Sequence, residues 1–247
     1  MNDATARALN RINRRFYTEQ ADAFSATREA PWPGWLRLAE KIDASELPAA
    51  PAVLDVGCGN GRFGRFLAGR APALRYTGVD SSDELLRRAE QAGGLGPEPE
   101  LQRLDLVEED LAGWLGERRF DLIALFGVLH HVPGRERREA LLRGLLGRLS
   151  PGGILALTSW RLAQFERFRE RILSWQESPV ALDEAQLEPG DRLLPWGHGE
   201  GLRYVHFADE DETAVLVASL GATVVERYEA DGREDALNCY FLLQAQA

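Results

Sequence analysis

Residues 53–61 read Val-Leu-Asp-Val-Gly-Cys-Gly-Asn-Gly, and this stretch decides the fold. Val53, Leu54 and Val56 form the short aliphatic run that is typical of a buried parallel strand. Three glycines at alternate positions follow, and then an amphipathic segment from Arg62 to Gly69. The order is strand, tight turn and helix. The free N–H groups of the helix N-terminus therefore face whatever binds over the turn.

The spacing of the glycines narrows the choice of ligand. A dinucleotide fingerprint needs its third glycine where Arg62 stands, and a Walker loop needs Gly-Lys, whereas Lys41 is the only lysine in the chain. Asp55 would repel a pyrophosphate and suits a ligand that carries an amino group. The alternative is a glycine-rich turn without a ligand. We favour the ligand because strand, acid, glycines and helix fall in register.

The bulk composition indicates a single α/β domain with appended segments. The chain has 247 residues, 45% of them hydrophobic, and a net charge of −10. It has no apolar run of membrane-spanning length and no hydrophobic core of a signal peptide near Met1. We therefore expect a cytoplasmic protein with no membrane contact. Cys58 and Cys239 do not have metal-site spacing, and no metal is predicted. The negative charge weighs mildly against general nucleic-acid binding.

Strand-like and helix-like segments alternate along the chain. They predict a doubly wound, Rossmann-like, mostly parallel seven-stranded sheet whose last strand is antiparallel. After the first strand, the predicted strands are 75–79, 101–104, 120–125, 154–158, 223–228 and 238–243. We divide the single domain into an N-terminal helical or lid segment (1–50), a cofactor-binding core (51–159), an insertion (160–206) and a final helix with two strands (207–247).

Polar and aromatic residues follow several of these strands. Asp80 ends the second strand, where acids bind ribose hydroxyls in nucleotide-type folds, and Ser81 follows it. Asp105 and Leu106 end the third strand and are expected to flank an adenine, and Phe126 follows the fourth. Because ligands bind at the carboxyl ends of parallel strands, these residues are candidates for one cofactor site.

Residues 5–17 read as an amphipathic helix. One face is apolar, with Leu9, Ile12 and Phe16, and the opposite face is basic. The basic residues are Arg7, Arg11, Arg14 and Arg15. A solvated surface explains them most simply, and contact with an anionic substrate is the alternative.

Two irregular stretches are candidates for the acceptor site. In 24–35 we expect Trp35 to lie in the core, whereas Trp32 fits the core edge and a binding site equally well. The insertion 160–206 reads as a charged helix followed by an irregular segment with Trp196. We expect it to cover the carboxyl edge of the sheet as a substrate lid.

The glycine loop, Asp80, Asp105-Leu106 and Pro151-Gly152-Gly153 resemble the class I S-adenosylmethionine-dependent methyltransferases. Further motifs resemble the tRNA methyltransferases that esterify the 5-carboxymethyl group of wobble uridine. Those motifs are Tyr17, Phe24-Ser25-x-Thr27-Arg28, Pro31-Trp32-Pro33, His130-His131, Arg135-x-Arg137-Arg138, Trp160, Pro195-Trp196 and Arg203-Tyr204-x-His206. The family often has a second tyrosine where Val205 stands. The resemblance implies S-adenosyl-L-methionine as cofactor, tRNA as acceptor and a possible small zinc-binding activator subunit.

In such a reaction a carboxylate attacks the methyl group. The acceptor is already ionised at neutral pH, so its binding and orientation matter more than a general base. Arg28 and Arg203 are the candidate cations, although Arg28 suits the carboxylate of the cofactor as well. His131 is a third candidate catalytic residue; with His130 it either orders the site or caps the next helix. Candidate substrate contacts are Trp32, His130, Trp160, Trp196, Tyr204 and His206, and candidate cofactor contacts are Asp55, Gly57, Cys58, Gly59, Asn60, Gly61, Asp80, Ser81, Asp105, Leu106 and Phe126.

Two rival functions remain open. A small-molecule methyltransferase on the same fold agrees with the acidic charge but not with the N-terminal motifs. A non-catalytic scaffold that binds the cofactor would have no chemical need for Asp80 or the intact glycine loop.

Overall fold

The computed structural model describes residues 1–27, 30–43, 47–197, 199 and 201–246. In this part of the chain the strands are β1 Ala52–Val56, β2 Arg75–Asp80, β3 Glu100–Arg103, β4 Phe120–Leu125, β5 Leu149–Trp160, β6 Asp191–Trp196, β7 Gly201–His206, β8 Thr223–Ala230 and β9 Asn238–Gln244. The α-helices are α1 Asp3–Glu19, α2 Ala21–Ala26, α3 Pro33–Asp43, α4 Arg62–Ala68, α5 Asp83–Ala92, α6 Leu111–Leu115, α7 Arg135–Leu146, α8 Glu166–Arg169 and α9 Glu210–Ser219.

The main sheet has the strand order β3-β2-β1-β4-β5-β9-β8. Strands β1 to β5 pair in parallel, and β9 runs antiparallel to both of its neighbours, β5 and β8. The predicted doubly wound sheet with an antiparallel last strand is therefore confirmed. The strand order reverses direction between β1 and β4, and the connections from these strands separate there to leave a crevice at their carboxyl ends.

Two hydrophobic cores cover the two faces of the sheet. On one face Leu54 and Ile123 pack with residues of α6, α7 and α9, and on the other Val53 and Leu122 pack with residues of α3, α4 and α5. Neighbouring residues of a strand point to opposite faces, so an unbroken aliphatic run contributes to both cores. Trp35 is 2% exposed and lies in the second core, as predicted.

The insertion differs from its predicted structure. Instead of a long charged helix and an irregular segment, it contains the four-residue α8, short helical turns and the antiparallel hairpin β6–β7. The last four residues of β7, 203–206, are buried on both faces of the strand, but the glycines and proline around the hairpin suggested a loop. Strand β5 also begins at Leu149, earlier than predicted, with an irregular register opposite β4.

Helix α1 packs against this hairpin. Leu9 and Ile12 share an apolar cluster with Leu193 of β6 and Tyr204 of β7, while the arginines of the opposite face are exposed. The N-terminal segment and the insertion therefore form one layer over the carboxyl edge of the sheet. None of the helices in the described residues has the length and apolar character needed to cross a membrane.

Candidate active site

The glycine loop turns sharply after β1. Gly57, Gly59 and Gly61 all have positive φ angles, between 54° and 75°. The N–H groups of Gly57 and Cys58 both donate to the carbonyl of Val79, at 2.7 and 3.0 Å, which ties the loop to the end of β2. A Cβ on Gly57 would lie 2.2 Å from Val128 Cγ2, whereas one on Gly59 would meet nothing within 4 Å. Gly57 is therefore required by packing, and Gly59 borders open space.

Asp80 and Asp55 stand on either side of this loop. Asp80 accepts hydrogen bonds from the N–H groups of Gly59 and Ser82, at 2.8 and 2.9 Å. Burial raises the pKa of Asp80, although these hydrogen bonds oppose the shift. Asp55 accepts a 2.7 Å hydrogen bond from the Tyr76 hydroxyl. Burial raises its pKa to about 7, with the Tyr76 bond again opposing.

One pocket lies over the loop, in the crevice between β1 and β4. It contains nearly all of the predicted cofactor contacts, together with four residues predicted for catalysis or substrate. The predicted cofactor contacts on the pocket wall are Asp55, Gly57, Cys58, Gly59, Asn60, Asp80, Ser81, Asp105, Leu106 and Phe126. The four residues predicted for catalysis or substrate binding are Trp32, His131, Trp160 and Arg203. Gly61 is absent from the wall, because it is the N-cap residue of α4 and lies against Ala89 and Leu95. Arg28 lies outside the described residues.

Helix α1 closes one side of the pocket through Asp105. The buried carboxylate accepts two hydrogen bonds of 2.9 Å from the side-chain amide of Asn10, and a third of 2.9 Å from the N–H of Val107. The Nε of Arg14 lies 3.7 Å from the same carboxylate. Asp105 therefore anchors α1 over the site, and its predicted contact with the adenine stays a prediction.

His131 connects the loop after β4 with α1 and β7. Its Nδ1 lies 2.9 Å from the Tyr204 carbonyl oxygen, which can only accept, so this nitrogen carries a proton. Its Nε2 lies 3.0 Å from the hydroxyl of Tyr17. The imidazole is therefore held at both nitrogens.

Arg203 is the buried cation of the pocket. Its side chain is 6% exposed, and its guanidinium carbon lies 5.2 Å from the Phe16 ring centre and 5.7 Å from that of Trp160. Burial lowers its pKa, while a hydrogen bond to Tyr17 opposes that shift. Its Nε has no hydrogen-bond partner, and among the described residues no carboxylate is paired with it. A buried arginine without an anion is suited to an anionic ligand.

The remaining predicted substrate residues do not line the pocket. In β7 successive side chains point to opposite faces, so Tyr204 and His206 point away from the side on which Arg203 lies. Both bond to Asp191 instead. Trp196 packs 5.6 Å from the ring of Phe16.

His130 lies behind the pocket wall. Its ring stacks on Trp160 with 3.8 Å between centres and an angle of 11°. Burial, followed by the charges of His131 and Arg203, lowers the pKa of His130 well below its ordinary value, so it is neutral. It therefore supports Trp160 from behind.

Several polar residues of the pocket wall were not predicted from the sequence as site residues, and two of them lie on α1. Asn10 and Asn13 are 7% and 4% exposed, and both line the pocket. The available signal was the spacing of Asn10, Asn13 and Tyr17, three polar positions within the buried stripe of an amphipathic helix. Arg62, at the start of α4, also lines the pocket, with its guanidinium over Trp32 and Trp35.

The pocket fits S-adenosyl-L-methionine on its own chemistry. The open space beside Gly59 allows close approach to the backbone, and Asp80 is fixed at a strand end with lone pairs left for a ribose diol. Asp55 offers a carboxylate for an ammonium group, and Leu106 with Phe126 offers apolar surface for a base. No cluster of basic groups or glycine spacing for a polyphosphate accompanies them in the described loop.

Comparison with known proteins agrees with this assignment. A family model described as "Methyltransferase domain" matches residues 54–155. Trans-aconitate 2-methyltransferase from Streptomyces avermitilis is 32% identical over 232 residues, which cover 79% of this chain and 80% of that protein. A tRNA (carboxymethyluridine(34)-5-O)-methyltransferase from Saccharomyces cerevisiae is 33% identical over 150 residues, 61% of this chain and 48% of that protein.

Solved structures share the fold. The magnesium protoporphyrin IX methyltransferase of Synechocystis PCC 6803, determined with bound S-adenosylmethionine, matches with a TM-score of 0.59 at 15% identity, over 99% of this chain and 98% of that one. The strand order, the glycine loop with its two acids, and the long match to a methyltransferase relative all lead to the same assignment. The chain belongs to the class I S-adenosylmethionine-dependent methyltransferases.

Proposed function

We propose that this methyltransferase esterifies a carboxylate, and that the acceptor is the 5-carboxymethyl group of a wobble uridine in tRNA. The observation that supports a carboxylate acceptor is the environment of Arg203. Its buried guanidinium lies on the pocket wall and has no anionic partner among the described residues. A guanidinium binds a carboxylate with two parallel hydrogen bonds, which also orients the attacking oxygen. The acceptors named for the two relatives, trans-aconitate and carboxymethyluridine, both carry carboxylates.

The cofactor supplies an electrophilic methyl group on its sulfonium when it is bound. Arg203 binds and neutralises the acceptor carboxylate, and the rings of Phe16 and Trp160 exclude water around it. A carboxylate with an ordinary pKa near ~4 is ionised at neutral pH, so no residue has to remove a proton. His131 is held by the Tyr204 carbonyl and Tyr17, and its role in this scheme is to orient Tyr17 beside Arg203. Catalysis then consists of orientation and desolvation.

The tRNA acceptor rests on the motifs in the N-terminal segment and the insertion. These segments together form the layer that covers the pocket, with Trp32 and Trp160 on its wall. Aromatic side chains of this kind stack on bases that are turned out of an RNA loop. Arg14 of α1 lies at the pocket itself, whereas the exposed Arg7, Arg11 and Arg15 do not line it and are available to phosphates outside it. A small zinc-binding activator subunit and a cytoplasmic location belong to the same proposal.

A small polycarboxylic acid is the second candidate acceptor. Two observations favour it: the net charge of −10, and a match to trans-aconitate 2-methyltransferase that covers 80% of that protein, against 48% for the tRNA enzyme. The same Arg203 would serve either acceptor. The two candidates differ in the molecule that bears the carboxylate, a tRNA or a small acid, and an assay with both can distinguish them.

The test uses the purified chain and cofactor labelled in its methyl group. We offer it, in parallel, tRNA that carries 5-carboxymethyluridine and trans-aconitate, and we analyse nucleosides and acids by mass spectrometry. We expect label in the nucleoside as a methyl ester that mild alkali releases. Label only in trans-aconitate would replace the tRNA proposal with the second candidate. Label that resists alkali would contradict esterification. The tRNA arm is repeated with protein isolated from its own cells together with any bound subunit.

A further inference from the structure

A buried charged cluster lies behind β7, on the side away from the pocket. His206 is 2% exposed, and its Nδ1 lies 2.8 Å from Asp191 Oδ1 while its Nε2 lies 2.7 Å from Glu212 Oε1. Arg138 of α7 donates to Glu188 at 2.8 Å and to the same Glu212 oxygen at 3.0 Å. The cluster therefore joins β6, β7, α7, α9 and the segment before β6.

The geometry of three cluster residues resembles a metal site. Ligand atoms of Glu188, His206 and Glu212 lie within 4.8 Å of one another. However, Nη2 of Arg138 is close to all three. It lies 2.8 Å from Glu188 Oε2, 3.2 Å from His206 Nε2 and 3.0 Å from Glu212 Oε1. The guanidinium thus already occupies the position that a cation would take. The cluster is better explained as a set of ionic hydrogen bonds that holds elements together.

The charged cluster fixes β7, the strand that contains Arg203. Strands β6 and β7 form a sheet of their own and are not hydrogen-bonded to the main sheet. Two contacts fix the middle of β7: the N–H of Tyr204 donates to Asn13 Oδ1, and its carbonyl accepts from His131, both at 2.9 Å. The end of β7 is fixed by His206, three residues beyond Arg203 and on the opposite face of the strand.

We propose that His206 is a positioning residue for Arg203: its imidazolium joins β7 to Asp191 on one side and to Glu212 of α9 on the other, and this sets the place of the guanidinium in the pocket. Because β7 is short, displacement of its end moves Arg203 away from the acceptor carboxylate. The predicted effect of His206 on substrate binding rests on the proposed carboxylate acceptor. The anchoring of β7 itself is a property of the protein without substrate.

The charge on His206 matters for this role. The titratable and charged groups that face its ring come from every element packed around it: Glu188, Asp191, Glu212, Arg138 and, through Asp191, Tyr204. Burial and Arg138 disfavour the imidazolium, but the hydrogen bonds to Asp191 and Glu212 outweigh them and raise the pKa of His206 above 6.5. Its stabilising contribution is complete below that value and is lost as the pH rises through the raised pKa.

The test compares wild type with His206→Gln from below pH 6.5 upward, so that it includes the raised pKa of His206. Glutamine retains one donor but cannot carry a charge. We expect the KM for the acceptor to be about tenfold higher in the variant than in wild type below pH 6.5, as for loss of one ionic hydrogen bond, while the cofactor Kd stays unchanged. In wild type the acceptor KM should rise with pH until it reaches the value of the variant, whose own profile is flat. Equal changes in cofactor Kd and acceptor KM, or a wild-type profile shared by His206→Gln, would overturn the proposal.

Two further variants guard against a simple folding defect. Tyr204→Phe removes a 2.8 Å hydrogen bond to the same Asp191 oxygen but leaves the imidazole, so it should keep the pH dependence. Glu212→Gln removes the negative partner of Nε2 and should move the pH transition of the acceptor KM to lower pH. An unmoved transition in Glu212→Gln would count against the assignment.

Hydrogen exchange of the β7 amides separates this inference from the proposed function, because it needs no acceptor. We expect the protection of these amides in wild type to fall through the same pH transition as the acceptor KM, and His206→Gln to show low protection throughout. If that holds while no carboxylate is methylated, the anchoring stands and the proposed function fails. If β7 stays equally protected in both proteins, the anchoring is wrong, whatever the substrate.

Discussion

The hydroxyl of Tyr17 lies 3.0 Å from Nε2 of His131, although 114 residues separate them in the chain. The contact joins α1 to the loop after β4, and Tyr17 also forms a hydrogen bond to Arg203. Three residues from three separate elements therefore meet at one wall of the pocket. Their arrangement is the basis of the first prediction.

Tyr17→Phe retains the ring that packs on Phe16 at 4.9 Å but removes the hydroxyl. We expect kcat/KM for the acceptor to fall about five- to tenfold, because a hydrogen bond to a charged group is lost. Cofactor affinity and thermal stability should change little. Steady-state kinetics with each substrate varied in turn, and calorimetry for the cofactor, provide the measurement. A loss of cofactor affinity as large as the loss of acceptor turnover would contradict the proposed arrangement.

Loss of the Arg203 side chain should reduce activity far more than loss of the His131 side chain. Without a need for a base, His131→Ala should reduce turnover modestly, whereas Arg203→Ala should reduce kcat/KM by about 100-fold or more, because it removes the buried partner of a charged ligand. Arg203→Lys keeps a positive charge but loses the paired donors of the guanidinium. Its kcat/KM should lie between those of His131→Ala and Arg203→Ala. Cofactor binding serves as the folding control in each variant. The reverse order of the two alanine variants would indicate a histidine base and a different acceptor chemistry.

Gly57 and Gly59 provide a matched pair. Gly57→Ala places a methyl group 2.2 Å from Val128 Cγ2 at a φ of +72°, and we expect a loss of about 3 kcal/mol in the free energy of unfolding or failure to fold. Gly59→Ala meets no atom within 4 Å, so only backbone strain of about 1–2 kcal/mol remains. Its methyl group should nevertheless weaken cofactor binding, because it enters the space the cofactor needs. Denaturant titration and calorimetry measure the two effects. Equal stability of both variants would argue against this loop geometry.

Asp55 should make the protein without cofactor less stable as the pH rises. Its pKa increases from 3.8 in the unfolded chain to about 7 in the fold, so the folded state holds the proton more tightly. Between those values stability falls with pH, by up to about 4 kcal/mol at roughly 1.4 kcal/mol per pH unit. Asp55→Asn removes the titration and keeps an acceptor for Tyr76. We expect its melting temperature to exceed that of wild type at pH near 8 and the difference to shrink towards pH near 5.

The control for this effect is the cofactor itself. Asp55→Asn should bind it more weakly, because the amide has no charge for the ammonium group. A variant that is less stable than wild type at every pH would show that the carboxylate contributes in another way.

The sheet was largely predictable because its signals are local. Aliphatic runs such as 120–125, the cap residue Ser82 and the glycines after β1 each specify backbone geometry within a few residues. The hairpin β6–β7 was not predicted, since Pro195 and nearby glycines carry the local signal of a loop. What makes this segment a strand pair is packing against α1, through Leu193 and Tyr204, and no local pattern contains that contact.

For the site, the sequence by itself determined the cofactor half. The glycine loop and Asp80 lie within one strand–turn–helix unit and the strand beside it, so their geometry follows from neighbouring residues. Only the tertiary structure decided the acceptor half. Arg203 reaches the pocket and His206 does not, although three residues separate them, because a strand points alternate side chains to opposite faces. Which face meets the pocket depends on how β7 packs against α1 and α9, and such long-range contacts cannot be read from residues taken in order.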